Sequence, residues 1–372
     1  MRVAIVHDWL TTWAGAEKAL AELLNCFPQA ELFTTVNFLE QDKIPALKGK
    51  VIHTSFIQKM PLARTRYRHY LPLMPLAVEQ FDLKGFDLIL SSSHAVAKGV
   101  ISDPNAVHIC YCYSPMRYAW DMQHQYLREA GKEKGMVSWL IRWQLHRLRQ
   151  WDYLSAQRVD HFVAISNYIK RRIKTSYRRD ADVIYPPVNV SKFRSDRPRE
   201  DFYLTASRMV PYKRMDLVIK AFNTMPDKQL IVIGDGPDYT KLAALAGPNV
   251  TLLGYQADSV LIDHLERTQA FLFMAEEDFG ILPVEAQAAG APVIGYGVGG
   301  LAETILNNVT GLWVEEQTSD ALVKTVQQFE AHKRDDNIGF SPEVCRQSAE
   351  RFATVNFTWA IQSLVNKHLA IR

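Results

Sequence analysis

Short apolar runs alternate with amphipathic stretches along almost the whole chain, and few folds accept that pattern. The runs fall at residues 3–6, 87–90, 107–113 and 161–165, then at 202–205, 230–233, 250–253, 270–274 and 292–295. Between them the spacing is helical: Leu20, Leu23, Leu24 and Phe27 recur at i, i+3, i+4 and i+7, and Leu322, Val326 and Phe329 at i, i+4 and i+7. Strands that are apolar throughout and separated by helices form parallel sheets covered on both faces. The expectation is therefore an α/β chain. Its ligands belong at the carboxyl ends of the strands, where helix N-termini present unpaired N–H groups.

A chain of 372 residues suits two such domains, each with its own core. The division falls near Tyr185-Pro186-Pro187-Val188, since paired prolines continue neither a helix nor a central strand. A polar stretch follows at 191–200, and a new βα series starts at Asp201. The boundaries expected are 1–185 for a first domain, 186–200 for a linker, 201–350 for a second domain, and 351–372 for a final helix. A composition of 48% hydrophobic and 22% charged residues excludes disorder, collagen and coiled coil. No apolar stretch approaches the ~18–20 residues of a membrane span, and the segment 136–148 is broken by Arg142, His146 and Arg147. The apolar residues after Met1 are too few for a signal-peptide core and read as a first strand. None of the four cysteines has CxxC spacing, so they read as reduced, buried thiols of a cytoplasmic protein.

The formal net charge of +3 hides an asymmetry. Residues 1–185 carry 25 basic and 17 acidic side chains, against 18 and 23 in the rest. The basic residues gather at 59–69, 142–149 and 170–179. The first two clusters lie among Met60, Leu62, Tyr67, Tyr70 and Leu71, and among Trp139, Trp143 and Trp151. Cations interleaved with aromatic and apolar residues suit an anionic bilayer surface. No nucleic-acid-binding motif accompanies the charge, so nucleic acid is not an expected partner.

Two segments carry the chemistry. Glu277-Asp278-Phe279-Gly280-Ile281-Leu282-Pro283-Val284-Glu285 follows the run 270–274 and opens a helix, with Pro283 suited to its first turn. Glu277 is expected on the loop and Glu285 in the first helical turn, with the N–H groups of Phe279, Gly280, Ile281 and Leu282 free for phosphate or sugar oxygens. Arg208-Met209-Val210-Pro211-Tyr212-Lys213 follows the run 202–205. Arg208 holds two oxygens at once and Lys213 acts as a point charge, a pairing that clamps a pyrophosphate. Together the segments describe a site for an anion joined to a polyol, as in a nucleotide sugar.

These residues resemble a GT-B glycosyltransferase of the retaining family 4. Arg208 and Lys213 match that family's donor-phosphate pair, and Glu277 and Glu285 its E-x7-E motif. Ile233-Gly234-Asp235-Gly236-Pro237, Gly290-Ala291-Pro292-Val293-Ile294 and Gly311-Leu312 also stand where the family has them. Residues 93–99 and 114–121 are similar to the WbaZ-type mannosyltransferases of O-antigen and exopolysaccharide synthesis. The resemblance implies two doubly wound Rossmann-like domains facing a central cleft, with the acceptor on the first and the donor on the second. It implies GDP-mannose as donor and retaining transfer of mannose to a glycan hydroxyl on a lipid carrier, at the inner face of the plasma membrane. In that family the departing phosphate takes the acceptor proton during front-face attack, so no protein nucleophile is needed.

Carried over residue by residue, Glu277 would bind hydroxyls of the transferred sugar and Glu285 the ribose. His94 would stand close to the donor sugar, and Gly15 near the donor phosphates, although Ala14 replaces the usual first glycine. Arg117, Tyr118, Trp120 and Asp121 would border the acceptor, with Asp121 or Glu17 assisting its hydroxyl. Tyr113-Ser114 stands where the subgroup reads His-Thr, which removes a residue that titrates near neutrality. No G-x-G-x-x-G follows the first strand, against an oxidoreductase. Asp180-Ala181-Asp182 reads as a surface turn before a strand at 183–185, so no metal or other cofactor is expected. The alternatives are a UDP-sugar-dependent transferase or epimerase of the same fold, and a non-catalytic nucleotide-sugar-binding subunit.

Overall fold

The computed structural model describes residues 1–334 and 340–370. The chain divides into two compact units, one of residues 1–187 with 357–372 and one of residues 188–356.

The first unit is built on a seven-stranded sheet. Its strands are β1 (Val3–His7), β2 (Glu31–Thr34), β3 (Ile52–Thr54), β4 (Leu88–Ser93), β5 (Val107–Cys112), β6 (His161–Ala164) and β7 (Ala181–Val183). They pair in parallel in the order β3-β2-β1-β4-β5-β6-β7. Every residue of β1, β4 and β5 is buried, as the apolar runs require of a sheet covered on both faces. The polar end of β4 is accommodated by hydrogen bonding: Ser91 Oγ lies 2.8 Å from His108 Nε2, and Ser92 Oγ lies 3.0 Å from His7 Nδ1.

The second unit carries β8 (Tyr203–Ala206), β9 (Leu230–Ile233), β10 (Val250–Gly254), β11 (Phe271–Phe273), β12 (Val293–Tyr296) and β13 (Gly311–Val314). All neighbours are parallel, in the order β10-β9-β8-β11-β12-β13. In each sheet the winding reverses once, between β1 and β4 and between β8 and β11. Loops leaving the two strands of such a switch point diverge, and the crevice they leave is where doubly wound sheets bind ligands.

Several sequence expectations need correction. Residues 186–200 are not a free linker, for those from Val188 on belong to the second unit. Their polar side chains bind it: Arg197 reaches Asp263 at 2.8 Å, and Arg199 donates to the carbonyls of Glu266 and Ala289 at 3.0 and 2.8 Å. The last helix, Thr354–Ala370, begins in the second unit and joins the first from Phe357, whose ring meets Tyr111 edge-on at 5.5 Å. Asp180-Ala181-Asp182 is not a turn before a strand. Ala181 and Asp182 lie in β7, and Asp182 is 3.0 Å from His161 across the ladder.

Candidate functional site

In the second unit the site is built on the loops after β8, β9 and β11. The loop after β8 closes on the one after β9. Met209 N–H donates to the Asp235 carbonyl at 2.9 Å, and Asp238 N–H to the Met209 carbonyl at 3.1 Å. A glycine is required at residue 234, which has φ +139° and whose added Cβ would stand 1.9 Å from the Ser207 carbonyl oxygen. This close approach shapes one wall of a cavity of about 510 Å³, lined by Arg208, Asp235, Tyr255, Gln256 and Leu282 among others. The volume lies within the ~300–1,000 Å³ of small-molecule sites.

Past Arg208 the chain makes one 3-10 turn, Pro211–Lys213, and enters helix Met215–Asn223 through Arg214 at φ +54°. That turn carries Lys213 toward the loop after β11. Its ammonium lies 2.5 Å from Glu277 Oε1, with both side chains more than four-fifths buried. The same ammonium stands 5.5 Å from the centroid of Tyr212 and 5.6 Å from that of Phe273, faces that favour a cation. The expected phosphate ligand and the expected sugar ligand thus meet across the switch point.

The loop holding Glu277 is itself braced. Gly300 N–H donates to the Glu277 carbonyl at 2.7 Å, and a Cβ on Gly300 would fall 2.3 Å from Phe279 Cα. Phe279 is buried and meets Phe352 at 5.3 Å. Gly280 is the N-cap of helix Ile281–Ala288, so Ile281 and Leu282 supply free N–H groups at its start. Glu285 is the fifth residue of that helix and lies in its second turn, not its first.

In the first unit, Asp8 and His94 face each other across the switch point between β1 and β4. The Asp8 carboxylate is fully buried and accepts four backbone N–H groups from the loop after β4: His94, Ala95, Val96 and Ala97, at 2.6 to 3.0 Å. His94 Nδ1 lies 2.9 Å from Asp8 Oδ2. Burial works against ionisation of Asp8, but the charge and hydrogen bonds of His94 outweigh it and hold the carboxyl well below the usual range. Burial likewise disfavours the imidazolium, and Asp8 outweighs it, raising the His94 pKa. The imidazole packs edge-on against Trp9 at 4.6 Å.

The remaining residues picked out by sequence have these positions. Gly15 opens helix Gly15–Cys26 at the carboxyl end of β1. Glu17 is buried, caps that helix through Ala14 N–H at 3.0 Å and approaches His7 Nε2 at 3.6 Å. Arg117 and Tyr118 are half-buried on the segment after β5. Trp120 donates its indole N–H to buried Asp152 at 2.7 Å, which fixes it inside the domain. Asp121 is paired with Arg172 at 2.6 Å. Tyr113 donates its hydroxyl to the Ala16 carbonyl at 2.8 Å, and burial raises its pKa far above the ordinary phenol value.

Sequence reasoning passed over Asp8, although an acid directly after a buried strand is the signal for it. It also passed over Tyr255 and Gln256 of the cavity, whose positions depend on where β10 ends.

Comparison with known proteins decides the family. Residues 190–341 match the model described as glycosyl transferases group 1, and residues 13–192 match that of Glycosyltransferase Family 4. The chain is a family 4 glycosyltransferase of GT-B fold. This glycosyltransferase is 33% identical over 196 residues to a GDP-mannose-dependent monoacylated alpha-(1-6)-phosphatidylinositol monomannoside mannosyltransferase of Corynebacterium glutamicum, covering 44% of this chain and 51% of that one. It is 28% identical over 175 residues to an uncharacterized glycosyltransferase of Methanocaldococcus jannaschii, covering 46% and 49%. The glycosyltransferase thus spans about half the length of these curated relatives. Among solved structures it is similar to Anabaena HepE in complex with UDP, with a TM-score of 0.72 at 16% identity over 99% of this chain and 100% of that one. Sucrose-phosphate synthase from Thermosynechococcus elongatus gives a TM-score of 0.75 at 16% identity, with both chains fully covered. At such identity the likeness describes the fold.

Proposed function

We propose that this glycosyltransferase transfers mannose from GDP-mannose to a sugar hydroxyl of a lipid-linked glycan, with retention of configuration. The observation that carries the reading is the pair Lys213–Glu277 at the β8/β11 switch point, beside a cavity of nucleotide size edged by Arg208. In this reading the nucleoside fills the cavity, and Arg208 and Lys213 neutralise the diphosphate. Glu277 binds hydroxyls of the transferred hexose, Glu285 binds the ribose, and Phe279, Gly280, Ile281 and Leu282 offer backbone N–H groups. Negative charge builds on the diphosphate as the sugar leaves, so cations fixed beforehand lower the barrier without reorganisation. By the family resemblance His94 would serve the sugar, Gly15 the phosphates, and Arg117, Tyr118 and Asp121 the acceptor, whereas Glu17 and Trp120 are engaged with Ala14 N–H and Asp152. The reaction as proposed needs no metal and no protein nucleophile. Support for mannose comes from the mannosyltransferases that are 33% and 29% identical over 44% of this chain.

A UDP-sugar donor is the second reading, favoured by the HepE likeness in complexes with UDP and UDP-glucose. Thermal unfolding with GDP, UDP, ADP and their sugars separates the two, because a ligand that binds only the folded state raises the midpoint according to its affinity. A shift with GDP and GDP-mannose alone is expected. A shift with UDP alone overturns the donor, and no shift with any nucleotide overturns the site. Among the described residues no helix is long and apolar enough to cross a membrane. We place the reaction at the inner face of the plasma membrane through peripheral contact with anionic lipid.

A further inference from the structure

We infer that the first half of helix Met136–Ala156 is the element that makes this contact, seating its apolar face among the headgroups of an anionic bilayer. The inference deepens the proposed peripheral contact and is independent of the donor.

The two halves of this helix have different surroundings. In the second half Leu148, Asp152, Ser155 and Ala156 are buried, and the Trp151 indole donates to Glu79 at 2.8 Å. In the first half Ser138 alone is buried among the described residues. Met136 is 86% exposed, Trp139 67% and Trp143 48%, with Val137 and Leu140 also exposed. Positions 136, 139, 140 and 143 recur at i, i+3, i+4 and i+7, so they form one stripe along the helix. An apolar stripe of this size, rimmed by polar residues and meeting no core, marks a surface with a partner.

Charge selects the partner. Lys132 and Lys134 precede the helix, with Glu133 between them, and Arg142 and Arg147 flank the stripe. The helix has a single carboxylate, Asp152, which is buried and paired with Lys98. Its exposed face therefore carries cations and no acid. The Arg147 guanidinium lies 5.7 Å from the Trp143 ring, so its stem runs along the apolar face, while Arg142 turns to the other side of the helix and donates from Nε to buried Ser138 at 3.2 Å. A second copy docked on the same face would bring these arginines against their own equivalents. An anionic headgroup layer neutralises them, while the amphipathic indoles suit the boundary between headgroups and acyl chains.

The other basic cluster has no tryptophan among its exposed apolar neighbours, which are Phe56, Leu62, Leu73 and Leu76. Tyr67 is buried with its hydroxyl 3.2 Å from that of Thr11, and Tyr70 donates to the Pro61 carbonyl at 2.6 Å. Arg64, Arg66 and Arg68 remain exposed.

The test is co-sedimentation of the full chain with vesicles of phosphatidylcholine alone and of phosphatidylcholine mixed with phosphatidylglycerol. The chain should partition onto the mixed vesicles, with a blue shift in tryptophan emission. Combining Met136→Ser, Trp139→Ser and Trp143→Ser should lower partitioning about tenfold or more. The unfolding midpoint and its response to nucleotide should not change, since these side chains touch neither core nor cavity. Failure of the unaltered chain to bind the mixed vesicles overturns the inference. So does equal binding by the triple variant, or a loss seen only on combining Arg64→Gln, Arg66→Gln and Arg68→Gln. Lipid-free sedimentation equilibrium showing a dimer that the triple variant dissolves would assign the stripe to a second copy and overturn it too. A missing nucleotide shift is a separate outcome and bears on the proposed donor.

Discussion

His94 Nδ1 lies 2.9 Å from Asp8 Oδ2 across the point where the first sheet reverses its winding. The carboxylate is held by four backbone N–H groups of the loop that carries the histidine, so acid and loop position each other. The second sheet has its own pair at the corresponding place, Lys213 and Glu277. In both units an acidic residue and a basic one stand where divergent loops open a crevice, each on the loop of a different strand.

The Asp8–His94 pair gives stability a defined pH dependence. The His94 pKa is raised in the folded chain. Its contribution is therefore complete below the unfolded value of about 6.5 and is lost as pH rises through the folded one. The Asp8 pKa is lowered. That contribution is complete above about 3.9 and is lost as pH falls through the folded value. The pair's joint contribution should peak between about pH 4 and 6.5. Replacing His94 by Gln should flatten the alkaline arm of a midpoint-against-pH curve, and an unaltered arm would refute the assignment.

Removing a cation from the proposed leaving-group site should cost rate more than fold. Arg208→Ala is expected to lower turnover about 10²–10³-fold, by analogy with the loss of one preorganised donor. Arg208 is exposed, so the variant's unfolding free energy should stay within about 0.5 kcal/mol of the parent. Lys213→Ala should lose a similar factor and also leave Glu277 without its partner. Steady-state rates with the donor identified by thermal shift are the measurement. Near-parental turnover in both variants would refute the role.

Gly300→Ala tests whether the Glu277 loop is held by close approach of the backbone. The new Cβ would meet Phe279 Cα at 2.3 Å, a distance that forces one of the two loops to move. The cost should be about 1–3 kcal/mol of stability. The affinity for the nucleotide sugar should fall more than that for the bare nucleotide, because the displaced residue binds the hexose in the proposed reading. Calorimetric titration with both ligands checks this.

The interior strands were legible because burial on both faces selects continuous apolar runs: β1, β4, β5 and β9 announce themselves. The edge strands β3 and β7 were not, because edge positions tolerate His53 and Asp182, nor was β2, one place in from the edge, which is short and opens on half-buried Glu31. Arg208 and Glu277 could be picked out because each stands on the loop after an apolar run, and Lys213 and Glu285 because they complete the motifs that resemble family 4. Their contact was invisible, since the 3-10 turn that swings Lys213 toward Glu277 depends on Arg214 taking a left-handed conformation that its side chain does not favour. Asp8 was hidden for the opposite reason. Its partners are main-chain N–H groups, which every sequence has. Trp120 was expected to border the acceptor and Trp151 to suit a bilayer surface, yet their indoles donate to Asp152 and Glu79.

Asp152 gives a test of how the first unit holds together. It is fully buried and receives the Lys98 ammonium, the Trp120 indole N–H at 2.7 Å and the Tyr177 hydroxyl at 2.8 Å. Lys98 is buried too and donates to the Ala95 carbonyl at 3.0 Å, on the loop that Asp8 caps. Burial disfavours the ammonium, and the charge of Asp152 outweighs it, so the Lys98 pKa is raised and the group stays charged. Removing one member of such a pair leaves an uncompensated charge, at a cost of about 3–5 kcal/mol. Asp152→Leu should pay more than Lys98→Met, because it also strands the donors of Trp120 and Tyr177. Combining the two should cost less than the sum of the singles, since neither then leaves a buried charge. Urea unfolding of the four proteins supplies the cycle, and additive losses would show that the pair is not coupled.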